Sequence, residues 1–296
     1  MYGLLSLLNG VLIAAMIVIN GNLTGVYGPY SATLIIHLAG MALIAGIVLL
    51  RKERPFSYRP PLYLYLGGAI GVFTTVFENM AFGKIPVASQ LALGLLGQSV
   101  MGLTFDTLGL LGMPKRPIHR GKLLGIALVM AGIISMSEEV VFLPMLCAFA
   151  GGMTLGFSRV LVAGLSEHTS YYTGSFFNYL VGTLVCIPVV LLLGRGEPAF
   201  AGIVPDPRLW IYTGGMVGVC VVTLSSVTVK KISAFYLTLF LFLGQVFTGQ
   251  LFDVLFSGVF NPRCILGGVL VAAGLIWNLW MDHRLEQKSA AETEPV

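Results

Sequence analysis

Ten apolar runs follow one another along this chain with little between them. Each is close to the roughly 20 residues that carry a helix across the hydrocarbon of a bilayer. They cover residues 3–20, 31–50, 62–82, 87–108, 121–137, 141–163, 171–193, 209–228, 233–257 and 263–282. Strands of a membrane barrel would alternate polar and apolar over short pieces, and these runs do not. The expectation is an all-α integral membrane protein with ten transmembrane helices. Of 296 residues, 56% are hydrophobic and 10% are charged. A soluble domain carries about 25% charged residues, so no separate soluble domain is expected. Real loops are expected only at 51–61, 110–120 and 194–208, and the end "RLEQKSAAETEPV" (284–296) reads as a disordered cytoplasmic tail.

No cleavable signal peptide is expected, because the first run starts almost at Met1 without a positive segment before it. The four cysteines, Cys147, Cys186, Cys220 and Cys264, lie in or beside apolar runs and lack CxxC spacing. They read as packing thiols rather than as disulfides or a metal site. The net charge of +4 does not point to nucleic acid, because the basic residues concentrate in membrane loops. In a ten-helix arrangement the face bearing both termini collects Arg51, Lys52, Arg54, Arg59, Lys115, Arg116, Arg120, Lys122, Lys230, Lys231, Arg284 and Lys288. The other face collects Lys84, Arg195, Arg208 and Arg263. Positive charge marks the cytoplasmic side, so both termini are expected there.

The chain also repeats itself. "GQSVMGLTFD" (97–106) matches "GQVFTGQLFD" (244–253) at five of ten positions, an offset of 147. "YLGGAIGVFTTV" (65–76) faces "YTGGMVGVCVVT" (212–223) at the same offset, and "LGIALVMAGI" (124–133) resembles "LGGVLVAAGL" (266–275) at 142. Two units of five helices are expected, 1–138 and 139–283. Five is odd, so the second unit is expected to enter the membrane upside down. The loops after the second and fourth helices of the first unit carry eight basic residues. Their counterparts carry three, Arg195, Arg208 and Arg263, as outward loops would. Inverted repeats of this kind give alternating access a physical basis in secondary transporters.

These residues resemble the drug/metabolite transporter (DMT) superfamily, and within it the YdcZ-like branch of inner-membrane exporters. The resemblance rests on "INGNL" (19–23), "GGAIG" (67–71), "GQSVMGLTFDTLGLLGMPKRP" (97–117) and "LLGIALVMAGI" (123–133) in the first unit. In the second unit it rests on "GGMVG" (214–218), "GQVFTGQLFD" and "LGGVLVAAGL". The second unit departs from the pattern by lacking an "INGNL" equivalent and the "GLLG" after its Asp. The resemblance implies a DMT-type fold and an exporter in a bacterial inner membrane, and it implies no particular cargo.

Few polar residues interrupt the apolar runs. Glu78, in "TTVFENMAF", is the one glutamate well inside a run, and its counterpart at offset 147 is Ser225. An intramembrane acid costs about 2.5–3.5 kcal/mol on insertion scales and is a functional candidate by default. A proton and a cationic substrate can compete for such a carboxylate; the alternative is that it reaches the outer interface or pairs with a nearby base. Gln98 and Gln245 fall near the middle of their runs, as polar contacts to substrate or as interhelical glue. Arg159 reads as snorkelling, as paired with an acid, or as the charge that holds an anionic substrate. Glu78 and Arg159 are expected near opposite membrane faces. Asn20, His37 and Asn178 add polar groups for a binding cavity. Asp106 and Asp253 lie near helix ends, where a gating or structural role is expected. Gly67/Gly71 and Gly214/Gly218 have the GxxxG spacing of close helix packing.

There is no Walker A loop, HExxH or GxSxG elbow, so neither ATP hydrolysis nor a membrane-embedded enzyme is expected. No cofactor and no metal is expected. The sequence predicts a secondary transporter that exports a weakly basic or cationic small molecule by proton-coupled alternating access. Its partners are the substrate, protons and the lipid bilayer, with a homodimer as an option. The alternatives are a facilitator or importer of a neutral or anionic metabolite held by Arg159, and a non-transporting scaffold or channel.

Overall fold

A computed structural model describes residues 2–109, 122–136, 141–202, 204–228, 231, 234–258 and 262–293. The long helices are α1 (Tyr2–Tyr27), α2 (Pro29–Leu50), α3 (Leu66–Ala81), α4 (Val87–Leu108), α5 (Lys122–Met136), α6 (Phe142–His168) and α7 (Tyr171–Leu193). The short α8 (Pro198–Ala201) precedes α9 (Gly214–Thr228), α10 (Ala234–Ser257) and α11 (Pro262–Thr293). Tighter 3-10 turns at Leu62–Tyr65 and Leu209–Thr213 lead into α3 and α9.

Among the described residues six stretches are long and apolar enough to cross a membrane. They are Tyr2–Tyr27, Pro29–Leu50, Val87–Phe105, Phe142–His168, Tyr171–Leu193 and Leu209–Thr228. The apolar stretches Leu124–Met136, Phe240–Leu255 and Ile265–Asn278 are shorter. The expectation of ten transmembrane helices in two inverted five-helix repeats is therefore corrected to an all-α membrane fold with six long apolar helices. The reason is that an apolar run does not by itself fix the length of the helix it forms. Helix α5, with 15 residues, is about 22 Å long, short of the roughly 30 Å of hydrocarbon. Helix α3 carries Glu78 and Asn79 near its end and turns them inward. Helix α11 continues through Thr293.

Several helix starts are fixed by carboxylates from elsewhere in the chain. Pro29 opens α2 after Gly28, whose φ of 88° suits glycine. The Glu197 carboxylate then accepts from the backbone N–H of Tyr30 and Ser31, both at 2.7 Å. At the start of α7, the Ser170 hydroxyl accepts from Thr173 N–H at 3.0 Å, and both hydroxyls donate to Glu53 at 2.5 and 2.6 Å. At the start of α4, Asp253 accepts from Val87 and Ala88 N–H at 2.8 and 3.0 Å. Glu197 and Asp253 satisfy N–H groups that a helix leaves without intrahelical partners, whereas Glu53 holds the hydroxyls of the α7 cap; all three lie at the positive end of a helix dipole.

Helix α5 packs on α11, α3 and α4 on α6, α1 on α10, and α2 on α7. Small residues make these crossings close. A methyl at Gly152 would collide with the Gly94 carbonyl, and one at Gly10 would lie 2.5 Å from the Leu241 carbonyl oxygen. Large apolar side chains such as Leu49, Leu50, Leu184, Leu192 and Leu251 face outward. Such a surface is untenable in water and ordinary against lipid.

Candidate functional site

A cavity of about 170 Å³ lies among α1, α2, α3, α6, α7 and α9. Helical spacing explains which side chains reach it. Helix α3 contributes Gly71, Thr75 and Glu78, three and four residues apart and so on one face. Helix α6 contributes Leu155, Ser158, Arg159 and Val162, and α1 contributes Ile13, Met16 and Asn20. Helices α2, α7 and α9 add His37, Asn178 and Tyr179, and Gly214, Gly218 and Ser225.

Glu78 and Arg159 both line this cavity and their charges act on each other. The sequence sets the two apart along the membrane normal and expects no direct pair; the fold brings both side chains to one cavity. The Arg159 side chain is long enough to turn along α6, and its Nη1 donates to Gln98 Oε1 at 2.5 Å. Among the described residues no salt bridge joins Arg159 to Glu78, and no hydrogen bond reaches the Glu78 carboxylate. Both charges thus stay available to a molecule in the cavity. A charge set in a protein interior without a partner carries a desolvation penalty of several kcal/mol, at an order-of-magnitude level, which a bound ligand of opposite charge offsets.

The amides are unevenly satisfied. Asn20 Oδ1 and Asn178 Oδ1 are buried and accept no hydrogen bond, while both residues line the cavity. His37 is held by Nδ1 against Thr33 O at 2.9 Å, and its ring lies 5.9 Å from that of Tyr179. The sequence offset of 142 takes position 37 to 179, the residue that His37 meets. The Tyr179 hydroxyl donates to Gly215 O at 3.1 Å.

Gln245 is not on the main cavity. It lines a second space of about 10 Å³ together with Glu78, Gln90 and Gln98. Gln90 Nε2 donates to the Glu78 carbonyl at 2.9 Å, whereas Gln90 Oε1 and Gln245 Nε2 are buried without partners. One water fits a space of about 10–15 Å³, and a donor facing an acceptor is what such a water needs. Glu78 forms part of the wall of both spaces.

The glycine pairs divide. Gly67 sits against α6, where a methyl would lie 2.9 Å from Val162 Cγ2, whereas Gly71 has only Ser158 Oγ at 3.6 Å and Asn178 Oδ1 at 3.9 Å. A methyl at Gly214 would strike Asn20 Oδ1, and one at Gly218 would lie 2.5 Å from the Tyr179 hydroxyl. The tighter backbone crossings are one residue on, at Gly68 against Asn178 O and Gly215 against Ile36 O. Asp253 caps α4 from α10. The side chain of Asp106 lies outside the described residues. Sequence reasoning missed Gln90, Glu53 and Glu197. The spacing Gln90–Gly94–Gln98, one small or polar residue every four, marks one face of α4. Glu53 and Glu197 follow α2 and α7 at an offset of 144 (197 − 53), close to the repeat offset.

Among the described residues no cluster of His, Cys, Asp and Glu could hold a metal ion. A family model described as "Putative inner membrane exporter, YdcZ" matches the chain twice, over residues 1–135 and 143–277. A solved structure described as "Crystal structure of protein" is 18% identical with a TM-score of 0.64, and the match covers 96% of this chain and 97% of that one. At that identity the likeness shows a shared fold. No curated protein is significantly similar in sequence.

Proposed function

The chain belongs to the YdcZ family of inner-membrane exporters, and from that premise we propose that Glu78 couples transport to protons by alternating access. Membership makes it a multi-pass inner-membrane transporter that moves a small molecule across the lipid bilayer, with no enzymatic chemistry. The finer reading is outward transport, with both termini cytoplasmic, in which proton and substrate occupy the cavity by turns.

The observation that supports this reading most is the position of Glu78 in the wall between the 170 Å³ cavity and the water-sized space behind it. A carboxylate there can hold a proton in one state and a substrate cation in the other. The groups that face it are Arg159 from α6, Gln90 and Gln98 from α4, and Gln245 from α10. His37 and Tyr179 share the larger cavity. Arg159 offsets the charge of ionised Glu78 and opposes a purely cationic substrate, which weighs against the cation favoured by the sequence. The second reading, uncoupled movement of a neutral or anionic metabolite, draws on the same residue, because Arg159 lines the cavity with most of its donors free to bind.

The test uses purified protein in liposomes with a trapped pH-sensitive dye, offered organic cations, amino acids, sugars and organic anions in turn. Saturable substrate flux accompanied by opposed proton movement is the expected result. Saturable flux with no proton movement at any pH gradient refutes coupling and favours the second reading. Conductance faster than any carrier turnover refutes both.

A further inference from the structure

We infer that the cavity takes a small zwitterion, its ammonium group on Glu78 and its carboxylate on Arg159. This rests on reading the cavity as the transport site, and deepens that reading by naming the substrate class. Two opposite charges line one cavity of about 170 Å³, and neither saturates the other. A lone cation entering this space approaches Arg159, and a lone anion approaches Glu78. A neutral molecule leaves both charges without a partner. Only a molecule with both signs satisfies the two groups together.

The spacing fits. A methyl built at Gly151 of α6 would lie 3.3 Å from Glu78 Cγ, so Gly151 marks the level of the carboxylate. Arg159 lies eight residues on (159 − 151), about 12 Å along the helix axis. Its guanidinium is drawn back to Gln98, whose Cα lies 3.4 Å from a methyl built at Gly156. The Gln98 amide itself turns back to Gly94 O, so this level lies at most five residues beyond Gly151 (156 − 151), or about 7 Å. Two charge-assisted hydrogen bonds of about 2.7–2.9 Å each take up most of this axial gap. The remainder, roughly 2 Å along the axis, suits charged groups no more than two covalent bonds apart, as in an α-amino acid. Asn20 Oδ1 and Asn178 Oδ1 offer further acceptors on the wall. A cavity of about 150 Å³ holds benzene, so this one holds roughly six to ten non-hydrogen atoms.

The experiment is counterflow in liposomes containing the full chain, with matched sets of probes. Each set is an amino acid, its amide and its deaminated acid, built on alanine, valine and leucine, so that size stays fixed while the cation or the anion is removed. The expected result is half-saturation by at least one amino acid at a concentration tenfold or more below its amide and its deaminated acid. Arg159→Gln is expected to shift the preference towards the amide, and Glu78→Gln towards the deaminated acid. A further readout is electrical. With one proton exchanged per cycle, a zwitterion moves one net charge and a cation moves none, so an imposed membrane potential is expected to drive amino-acid flux.

Wild-type preference for the amides over the amino acids, with proton-coupled flux, overturns the zwitterion and leaves the coupled transporter standing. Preference for the deaminated acids without proton movement overturns both. The wild-type probe series decides the matter even if a variant fails to fold.

Discussion

Asp253→Ala removes a cap that belongs to a different helix. In the structure the carboxylate spans from α10 to the start of α4 and accepts from Val87 N–H at 2.8 Å and Ala88 N–H at 3.0 Å. Pro86 precedes α4 and offers no side-chain cap of its own. Loss of an N-cap costs about 0.5–2 kcal/mol, and a hydrogen bond to a charged acceptor is worth about 1.5–3 kcal/mol. The two bonds share one carboxylate and do not add fully, so the expected loss is about 2–3 kcal/mol. That is roughly a 30- to 150-fold rise in the unfolding constant. The assay is reversible unfolding in mixed detergent micelles, followed by helical circular dichroism. Asp253→Asn keeps one carbonyl acceptor and is expected to lose about half as much. If Asp253→Ala unfolds within about 0.5 kcal/mol of wild type, as a surface substitution does, the trans-cap argument is wrong.

Other predictions rest on the same packing. Gly152→Val drives a side chain into the Gly94 carbonyl and is expected to abolish monodisperse protein in size-exclusion chromatography. Gly102→Ala, with nothing within 4 Å of the added methyl, is expected to be neutral there. Glu53→Ala leaves the Ser170 and Thr173 hydroxyls without their acceptor and is expected to cost about 1–2 kcal/mol in the unfolding assay. Gln98→Leu takes the Oε1 acceptor from Arg159 and is expected to cost about 1–3 kcal/mol. It also frees the guanidinium, so it is expected to change substrate half-saturation more than Gln98→Asn does.

The sequence was most legible where one local pattern decides the outcome. The apolar runs at 3–20, 31–50, 87–108, 141–163, 171–193 and 209–228 fall on the six long apolar stretches. Apolarity alone could not separate these from the shorter stretches of α5, α10 and α11, because burial among helices and exposure to lipid select the same residues. The paired glycines lie on α3 and α9, and the closest backbone approach there is one residue beyond the first of each pair, at Gly68 and Gly215.

The site was legible as a set of residues more than as a geometry. Asn20, His37, Glu78, Arg159 and Asn178 line one cavity, yet axial position alone separated Glu78 from Arg159. What closes that gap is the reach of an arginine towards Gln98, a tertiary contact that no local pattern carries. The same holds for the caps. A glutamate such as Glu197, in a loop, looks like any solvated charge until the fold brings the start of α2 beside it.

The most direct test of the account is accumulation against counterflow in liposomes containing Glu78→Gln, using whichever amino-acid probe the wild type moves best. The wild type is expected to drive that probe above equilibrium when a pH gradient is imposed. Glu78→Gln is expected to lose this accumulation completely, while still exchanging labelled for unlabelled probe at higher concentration. Accumulation by Glu78→Gln at the wild-type level would contradict the assignment of the proton to this carboxylate.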